Sequence, residues 1–371
     1  MRVGLVIYGS LTALSGGYLY DRRLVERLRQ CGDEVRIYAL PNQPYGCSLL
    51  DNFLPGLLTR LARAPIDLLL QDELNHPSLF LLNRRLRSRV SYPVHAIVHH
   101  LRCQEPHRGR GAPFYRAVER AYLRSVDGLV CSSRTTADEV ERLLGREVTK
   151  LVATPGGDRL GVVEDVAVIS ERVAARGPLR LLFLGNLTPR KGLRELLRAL
   201  TQAREQPWEL TVVGSRRFDR RYAEEVEQQA ARGPLAGKVE FRGSLTDSEL
   251  RRTLASSHLL AMPFAFEGFG IVYLEAMAFG VPALASTTGG AREVVGHGVT
   301  GYLFAPGDLA GVAAVVERFQ RERRALLDFS LAARSEFGKF PGWRDTTLRV
   351  RGFLESEVRT HMGEGRRRGQ V

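Results

Sequence analysis

The chain is poor in lysine, cysteine and tryptophan, and it has no long apolar run. Of its 371 residues four are Cys and two are Trp, and only four of its 54 basic residues are Lys. Cys31, Cys47, Cys103 and Cys131 have neither metal-ligand spacing nor the density of a disulfide framework, so free thiols in a cytoplasmic setting are expected. No apolar stretch approaches the ~18 residues of a membrane-spanning helix. The first residues, Met1 to Gly9, lack a long apolar core followed by a small-residue cleavage site and read as a buried strand rather than a signal peptide. There is no Gly-Lys-Ser/Thr phosphate loop, no Gly-x-Gly-x-x-Gly and no Asp-x-Asp pair for a divalent metal. No aromatic-interleaved basic module or helix-turn-helix stands out, which argues against specific nucleic-acid binding.

What is present is ordinary globular material, 44% hydrophobic and 26% charged. That excludes a disordered or collagenous chain, and the length suggests two domains at about 150 residues each. The net charge is +13 and the pI is near 10.0. Residues 1–157 hold 22 basic and 15 acidic residues, and residues 158–371 hold 32 and 26, so the excess is spread along the chain. A local concentration comprises Arg84, Arg85, Arg87, Arg89, Arg102, Arg108 and Arg110. Such a cluster attracts polyanions and anionic lipid heads, so peripheral contact with the inner membrane face is compatible with it.

Short apolar runs alternate with longer amphipathic ones, the pattern of parallel strands joined by crossover helices. Strands are expected at 2–8, 35–40, 66–70, 94–98 and 128–132, with helices at 18–31, 119–124 and 136–144. The pattern restarts with strands at 179–184, 209–213, 239–242, 259–262 and 283–286, and helices at 193–203, 250–256 and 272–279. The expected division is residues 1–157, residues 158–342, a closing helix 343–362 and an irregular basic tail 363–371. The fold class is thus α/β with two Rossmann-like domains facing a cleft, and ligands of open α/β sheets sit beyond the carboxyl ends of the strands.

The richest segment is 263–282, Pro-Phe-Ala-Phe-Glu-Gly-Phe-Gly-Ile-Val-Tyr-Leu-Glu-Ala-Met-Ala-Phe-Gly-Val-Pro. It leaves a strand, passes Gly268 and Gly270, and enters a helix whose N–H groups can meet phosphate. Glu267 precedes the loop and Glu275 lies inside the helix. Each is read either as a solvated or dipole-paired carboxylate or as a ligand for vicinal hydroxyls. Glu275 stands among Leu274, Ala276, Met277 and Ala278, where an unpaired charge is costly.

This segment resembles the Glu-x7-Glu signature of glycosyltransferase family 4, retaining enzymes of the two-domain GT-B fold. Gly289-Gly290, Glu293-Val294-Val295, Gly298-x2-Gly301-Tyr302-Leu303 and Pro306-Gly307-Asp308 continue the likeness. The resemblance implies that Glu275 binds the nucleotide ribose and Glu267 faces the donor sugar. It implies a donor-binding stretch of Gly268, Phe269, Gly270, Ile271 and Val272, with backbone N–H groups of Phe269 and Gly270 on sugar and phosphate. It assigns the first domain to the acceptor and the second to the nucleotide-sugar. The nucleotide base is placed against Ser244 and Leu245, after the strand ending at Gly243.

The same resemblance orders three further motifs. In Leu184-Gly185-Asn186-Leu187-Thr188-Pro189-Arg190-Lys191-Gly192, Lys191 matches the family's diphosphate Lys. Asn186 stands where the family carries Arg, and Arg190 offers a second cation in the same loop; read without the family, these are solvated loop cations. Gly16 and Gly17 read alone as a turn before a helix; the family places paired glycines there against the donor diphosphate. His99, with His100 as the alternative, ends the fourth strand, where the family has a His near the reacting centre. Apart from the resemblance, Asp72, Glu73 and His76 at the end of the previous strand are read either as structural or as facing the acceptor.

The function implied is a retaining, metal-independent transfer of sugar from a nucleotide-sugar to an acceptor hydroxyl on a saccharide, lipid or natural product, with no cofactor. His99, Glu267, Lys191 and Arg190 would carry the chemistry. A sugar phosphorylase of the same fold, a nucleotide-sugar-binding protein without turnover, and a basic membrane-surface protein are the alternatives. The segment 343–358 reads either as an ordinary closing helix or as one that returns to the first domain.

Overall fold

The computed structural model describes residues 1–105, 111–163, 165–203 and 207–368. The chain forms two compact units, Met1–Pro155 with the helix Trp343–Arg368, and Gly156–Gly342.

The first unit holds six strands: β1 (Arg2–Tyr8), β2 (Glu34–Leu40), β3 (Leu68–Asp72), β4 (Val94–Val98), β5 (Gly128–Cys131) and β6 (Lys150–Val152). All neighbours are parallel, in the order β2-β1-β3-β4-β5-β6. β3 and β4 are buried at every position, as strands covered on both faces by helices must be. Their polar residues are paired inside the core: Gln71 exchanges hydrogen bonds with Asn83 (2.9 Å each) and His95 Nε2 lies 3.2 Å from Glu357. From β1 the chain goes to β2 on one side and then to β3 on the other. The carboxyl ends of β1 and β3 therefore flank the point where ligands of such sheets bind.

The helix Gly16–Gln30 starts at this end of the sheet. Ser15 Oγ caps it by accepting from Tyr18 N (3.3 Å), and Leu24, Val25 and Leu28 face the core at helical spacing. The C-terminal helix belongs to the same unit. Trp343 packs edge-on against Tyr20, Thr346 Oγ1 donates to Thr154 O (2.7 Å), and Arg351 Nε donates to Asp33 Oδ2 (2.7 Å). Its main chain stays helical to Arg368, which corrects the irregular tail expected from residue 363; residues 369–371 lie outside the described residues. Extending an existing helix fixes one residue per hydrogen bond, and Glu364 and Arg366 to Arg368 are good helix formers that offset Gly363 and Gly365.

The second unit repeats the plan with β7 (Leu179–Leu184), β8 (Trp208–Val213), β9 (Val239–Gly243), β10 (Leu259–Ala261), β11 (Ala283–Ser286) and β12 (Gly301–Phe304). The order β12-β11-β10-β7-β8-β9 is again parallel, and it reverses between β7 and β10. The helix Ile271–Ala278 follows β10 and is buried at all but Val272. β6, β12 and the helices Leu309–Arg321 and Arg323–Phe337 are additions to the sequence reading.

Candidate active site

In the second unit the loops after β7 and β10 meet at the switch point of the sheet. After Leu184 the chain runs through Gly185 and Asn186 into the single turn Pro189–Lys191, which ends at Gly192 with φ +69°. A Cβ on Gly192 would lie 2.7 Å from Phe264 Cβ, so both the backbone angle and the approach of the second loop demand glycine. The loops are then joined twice: Phe266 N donates to Arg190 O (3.0 Å) and Arg190 Nη1 donates to Phe266 O (2.6 Å). This brings Lys191 Nζ into an ion pair with Glu267 Oε1, with Arg190 3.9 Å from Oε2. Three residues singled out in the sequence thus form one cluster. Gly290 supports it from behind, its N–H donating to Glu267 O (2.8 Å) where a Cβ would stand 2.0 Å from Gly268 O.

Gly270, at φ +91°, turns the chain into the helix Ile271–Ala278. Phe269 is buried, and Ile271 and Val272 open the helix, where the first N–H groups have no acceptor within it. An anion at this end is favoured by those donors and by the helix dipole. Asn186 does a structural job here: its Oδ1 accepts from Ser215 N (3.3 Å), fastening the loop after β7 to the one after β8.

Glu275 is 2% exposed. Burial pushes its carboxyl above the ordinary range, against the pull of Arg159. Arg159 Nε (2.8 Å) and Nη2 (2.7 Å) both reach Glu275 Oε1, while Arg159 Nη1 pairs with Asp247. Asp247 opens the helix Asp247–Ser256, which Thr246 and Glu249 close with a reciprocal capping box. Ser244, exposed, and Leu245, half-buried, lead directly into that cap. The stretch 244–247, Arg159 and Glu275 are thereby one connected group. Arg159 and Asp247 escape sequence reasoning, because 116 residues separate Arg159 from its carboxylate and no local spacing marks the pair.

In the first unit Gly16 opens its helix, and Gly17 lies so close to the ring of His99 that a Cβ would stand 2.9 Å from Cδ2. His99 Nε2 lies 3.3 Å from Asp21 Oδ1, and Asp72 belongs to the same cluster. Burial alone would lower His99, but the bond to Asp21 and the charges of Asp72 and Glu73 outweigh it and raise the imidazole. Burial beside Asp21 raises Asp72 well above the carboxylate range. His100 is turned away, its Nε2 2.8 Å from Glu105. Beneath them Glu73, His76 and Glu119 are buried together: burial lifts both carboxyls to about 7 and lowers His76 to about 4. Among the described residues, Asp21 with Asp72 and His99, and Glu73 with His76 and Glu119, are the sets whose ligand atoms lie within 4.8 Å of one another and could hold a metal ion.

Comparison with known proteins places two family models on the chain. Residues 178–321 match glycosyl transferases group 1, and residues 21–157 match the glycosyl transferase 4-like domain. Glycogen synthase of Mycobacterium tuberculosis is 31% identical over 219 residues, 58% of this chain and 49% of the relative. The chain spans about half the length of the first curated relatives it matches. The phosphatidyl-myo-inositol mannosyltransferase of Mycolicibacterium smegmatis is 28% identical over 342 residues, 85% of this chain and 84% of that protein. Among solved structures, sucrose-phosphate synthase from Thermosynechococcus elongatus has a TM-score of 0.80 at 19% identity, covering 96% of this chain and 98% of that one. Anabaena HepE in complex with UDP and glucose has a TM-score of 0.77 at 20% identity, covering 96% and 100%. With two parallel six-stranded sheets, these likenesses establish the GT-B fold class.

Proposed function

The chain belongs to the glycosyl transferase group 1, GT4-like family, and on that premise we propose that it transfers a sugar from a nucleotide-sugar to an acceptor hydroxyl with retention and without a metal. The observation that carries this reading is the cluster at the switch point of the second sheet, where Lys191, Arg190 and Glu267 converge beside the N-terminus of the helix Ile271–Ala278. Lys191, Arg190 and the N–H groups from Phe269 to Val272 take the charge of the diphosphate. In the absence of donor, Glu267 occupies Lys191; a bound diphosphate competes for that ammonium and releases the carboxylate towards the sugar. Glu275 accepts hydrogen bonds from the ribose diol, and Ser244 and Leu245 border the base. By the family likeness, Gly16 and Gly17 also take part in donor binding and His99 in the transfer.

In the reaction the anomeric C1–O bond to the diphosphate breaks and the acceptor oxygen bonds to C1 from the same face. The acceptor proton passes to the departing phosphate oxygen. The protein then supplies position and charge rather than a nucleophile. The complex of Anabaena HepE with UDP-glucose makes UDP-sugars the first donors to try.

The test is calorimetric titration with UDP-, GDP-, ADP- and dTDP-sugars in EDTA, on the wild type and on Glu275→Gln. Binding of one nucleotide class, with a Kd on the order of micromolar and lost in the variant, is expected. Folded protein that binds none of them overturns the donor assignment. Binding of a sugar phosphate in their place moves the reading to a phosphorylase.

A further inference from the structure

One region of the first unit is unusually free of charge. Between Pro44 and Thr59 the only carboxylate or cation is Asp51. It is buried and accepts from Ser78 Oγ (2.7 Å) and Gln43 Nε2 (3.0 Å). On the outside of the same segment Leu50 and Phe53 are each 66% exposed and Leu54 is 50% exposed. Three large apolar side chains in five residues, facing water, form a patch that soluble surfaces avoid unless it is used.

This tip is held, not frayed. Asn52 is fully buried, and its Nδ2 donates to Leu49 O (2.9 Å) and Pro77 O (2.7 Å). Its Oδ1 accepts from Leu81 N (2.9 Å) and Leu82 N (3.1 Å). The turn Leu49–Phe53 is thus clamped to the start of the helix Leu82–Arg87. That helix buries Leu82 and Leu86 and exposes Arg84, Arg85 and Arg87, with Arg89 exposed just beyond it. Arg85 Nη1 donates to Asn52 O (3.1 Å), which ties cation and tip together. Arg87 pairs with Asp127; among the described residues Arg84, Arg85 and Arg89 have no carboxylate in ion-pair range. Arg60 and Arg63 are exposed at the end of the helix Pro55–Ala62, whose Leu57, Leu58 and Leu61 are buried.

We propose that Leu50, Phe53 and Leu54, rimmed by Arg84, Arg85 and Arg89, form a docking surface for an anionic lipid bilayer. An apolar tip beside unneutralised guanidiniums matches acyl chains below a layer of negative headgroups. A protein partner of ordinary surface would have to cover the tip and supply acidic groups around it in one fixed arrangement, whereas a fluid bilayer supplies both without one. Among the described residues no helix is long and apolar enough to cross a membrane, so the contact is peripheral. The sequence pointed to the arginines alone. Arg102 is taken up in stacking over Tyr45 and Tyr115 (5.0 and 5.1 Å), and Arg108 and Arg110 lie outside the described residues. The inference concerns the first unit only and goes beyond the donor chemistry.

The test is co-sedimentation of the full chain with vesicles of phosphatidylcholine containing phosphatidylglycerol, against vesicles of phosphatidylcholine alone. Binding to the anionic vesicles, weakened by salt, is expected. Leu50→Ser/Phe53→Ser/Leu54→Ser and, separately, Arg84→Gln/Arg89→Gln should each weaken it by ~10-fold or more. All changed side chains are exposed, so an unchanged melting temperature and unchanged nucleotide-sugar binding certify folding. In a second readout, Phe53→Trp emission should shift to the blue on anionic vesicles and be quenched by brominated acyl chains. Unchanged binding by the triple variant overturns the proposal, because charge alone would then suffice. A wild-type dimer that the triple variant breaks, with no vesicle binding, overturns it in favour of a second copy of the chain.

Discussion

Arg159→Gln tests the geometry around Glu275 most directly. In the wild type both Arg159 N–H contacts fall on Oε1, the closer at 2.7 Å, with side-chain exposures of 14% for Arg159 and 3% for Glu275. At that separation the Coulomb attraction is about 6 kcal/mol at an effective dielectric near 20. Desolvation of both ions offsets part of it. Removing one member of such a pair leaves about 3 kcal/mol of lost stability while the remaining carboxylate stays charged. The carboxyl has an escape: it takes up a proton. Burial already raises Glu275 above the ordinary carboxylate value, and loss of Arg159 raises it further. A raised carboxyl contributes stability that is full below its unfolded value and is lost as pH rises through its folded value. The variant should therefore be destabilised by ~3 kcal/mol at alkaline pH and by progressively less as pH falls and Glu275 takes up a proton. Urea unfolding of both proteins across that range reads the difference. Donor binding gives a parallel readout: if the ribose needs a carboxylate, the affinity of the variant should fall as pH is lowered and recover as it is raised. A stability loss that does not depend on pH would refute the reasoning, since Arg159 would then be acting through packing alone.

Gly290→Ala should displace the loop carrying Glu267, because the new Cβ meets Gly268 O at 2.0 Å; a stability loss of ~1–3 kcal/mol in urea with at least tenfold weaker donor binding is expected, and unchanged donor binding would contradict the placement. Lys191→Gln should weaken binding of the nucleoside diphosphate by ~1.5–3 kcal/mol, and titrations at low and high salt should show a reduced salt dependence. Glu73→Gln should leave Glu119 without its charged neighbour. In the wild type both carboxyls sit at about 7, so the stability they contribute is full at acidic pH and lost as pH rises through that value. The variant should gain stability on the wild type by ~2 kcal/mol between about pH 5 and about pH 8, as read by urea midpoints at the two ends.

What could be read in the sequence, and what could not, follows from the range of each interaction. The strands were legible because a parallel sheet covered on both faces needs near-continuous apolar runs, and Leu179–Leu184 and Val94–Val98 are such runs, each broken only once, at Arg180 and at His95. β6 and β12 were not: they are only three and four residues long, too short to set a strand apart from a loop in the sequence. The loops at the switch point were legible because glycines at close approaches leave a local mark, as at Gly192, Gly270 and Gly290, and because Lys191 and Glu267 are bracketed by those glycines. The partners that set the charge state of the candidate site leave none. Asp21 lies 78 residues from His99, and Arg159 lies 116 from Glu275. In one sequence an arginine among fifty or an aspartate inside an amphipathic helix is indistinguishable from a solvated one. Glu275 was the exception on one side only. Its apolar neighbours announce that a buried charge must be met, but only the folded chain names what meets it. The same asymmetry holds for Asn52: a buried amide with four hydrogen bonds decides where Leu50 and Phe53 point, and nothing in Leu-Leu-Asp-Asn-Phe-Leu distinguishes that asparagine from one facing water. Sequence patterns report what a residue needs from its surroundings, and the electrostatics of this molecule depend on which distant residue supplies it.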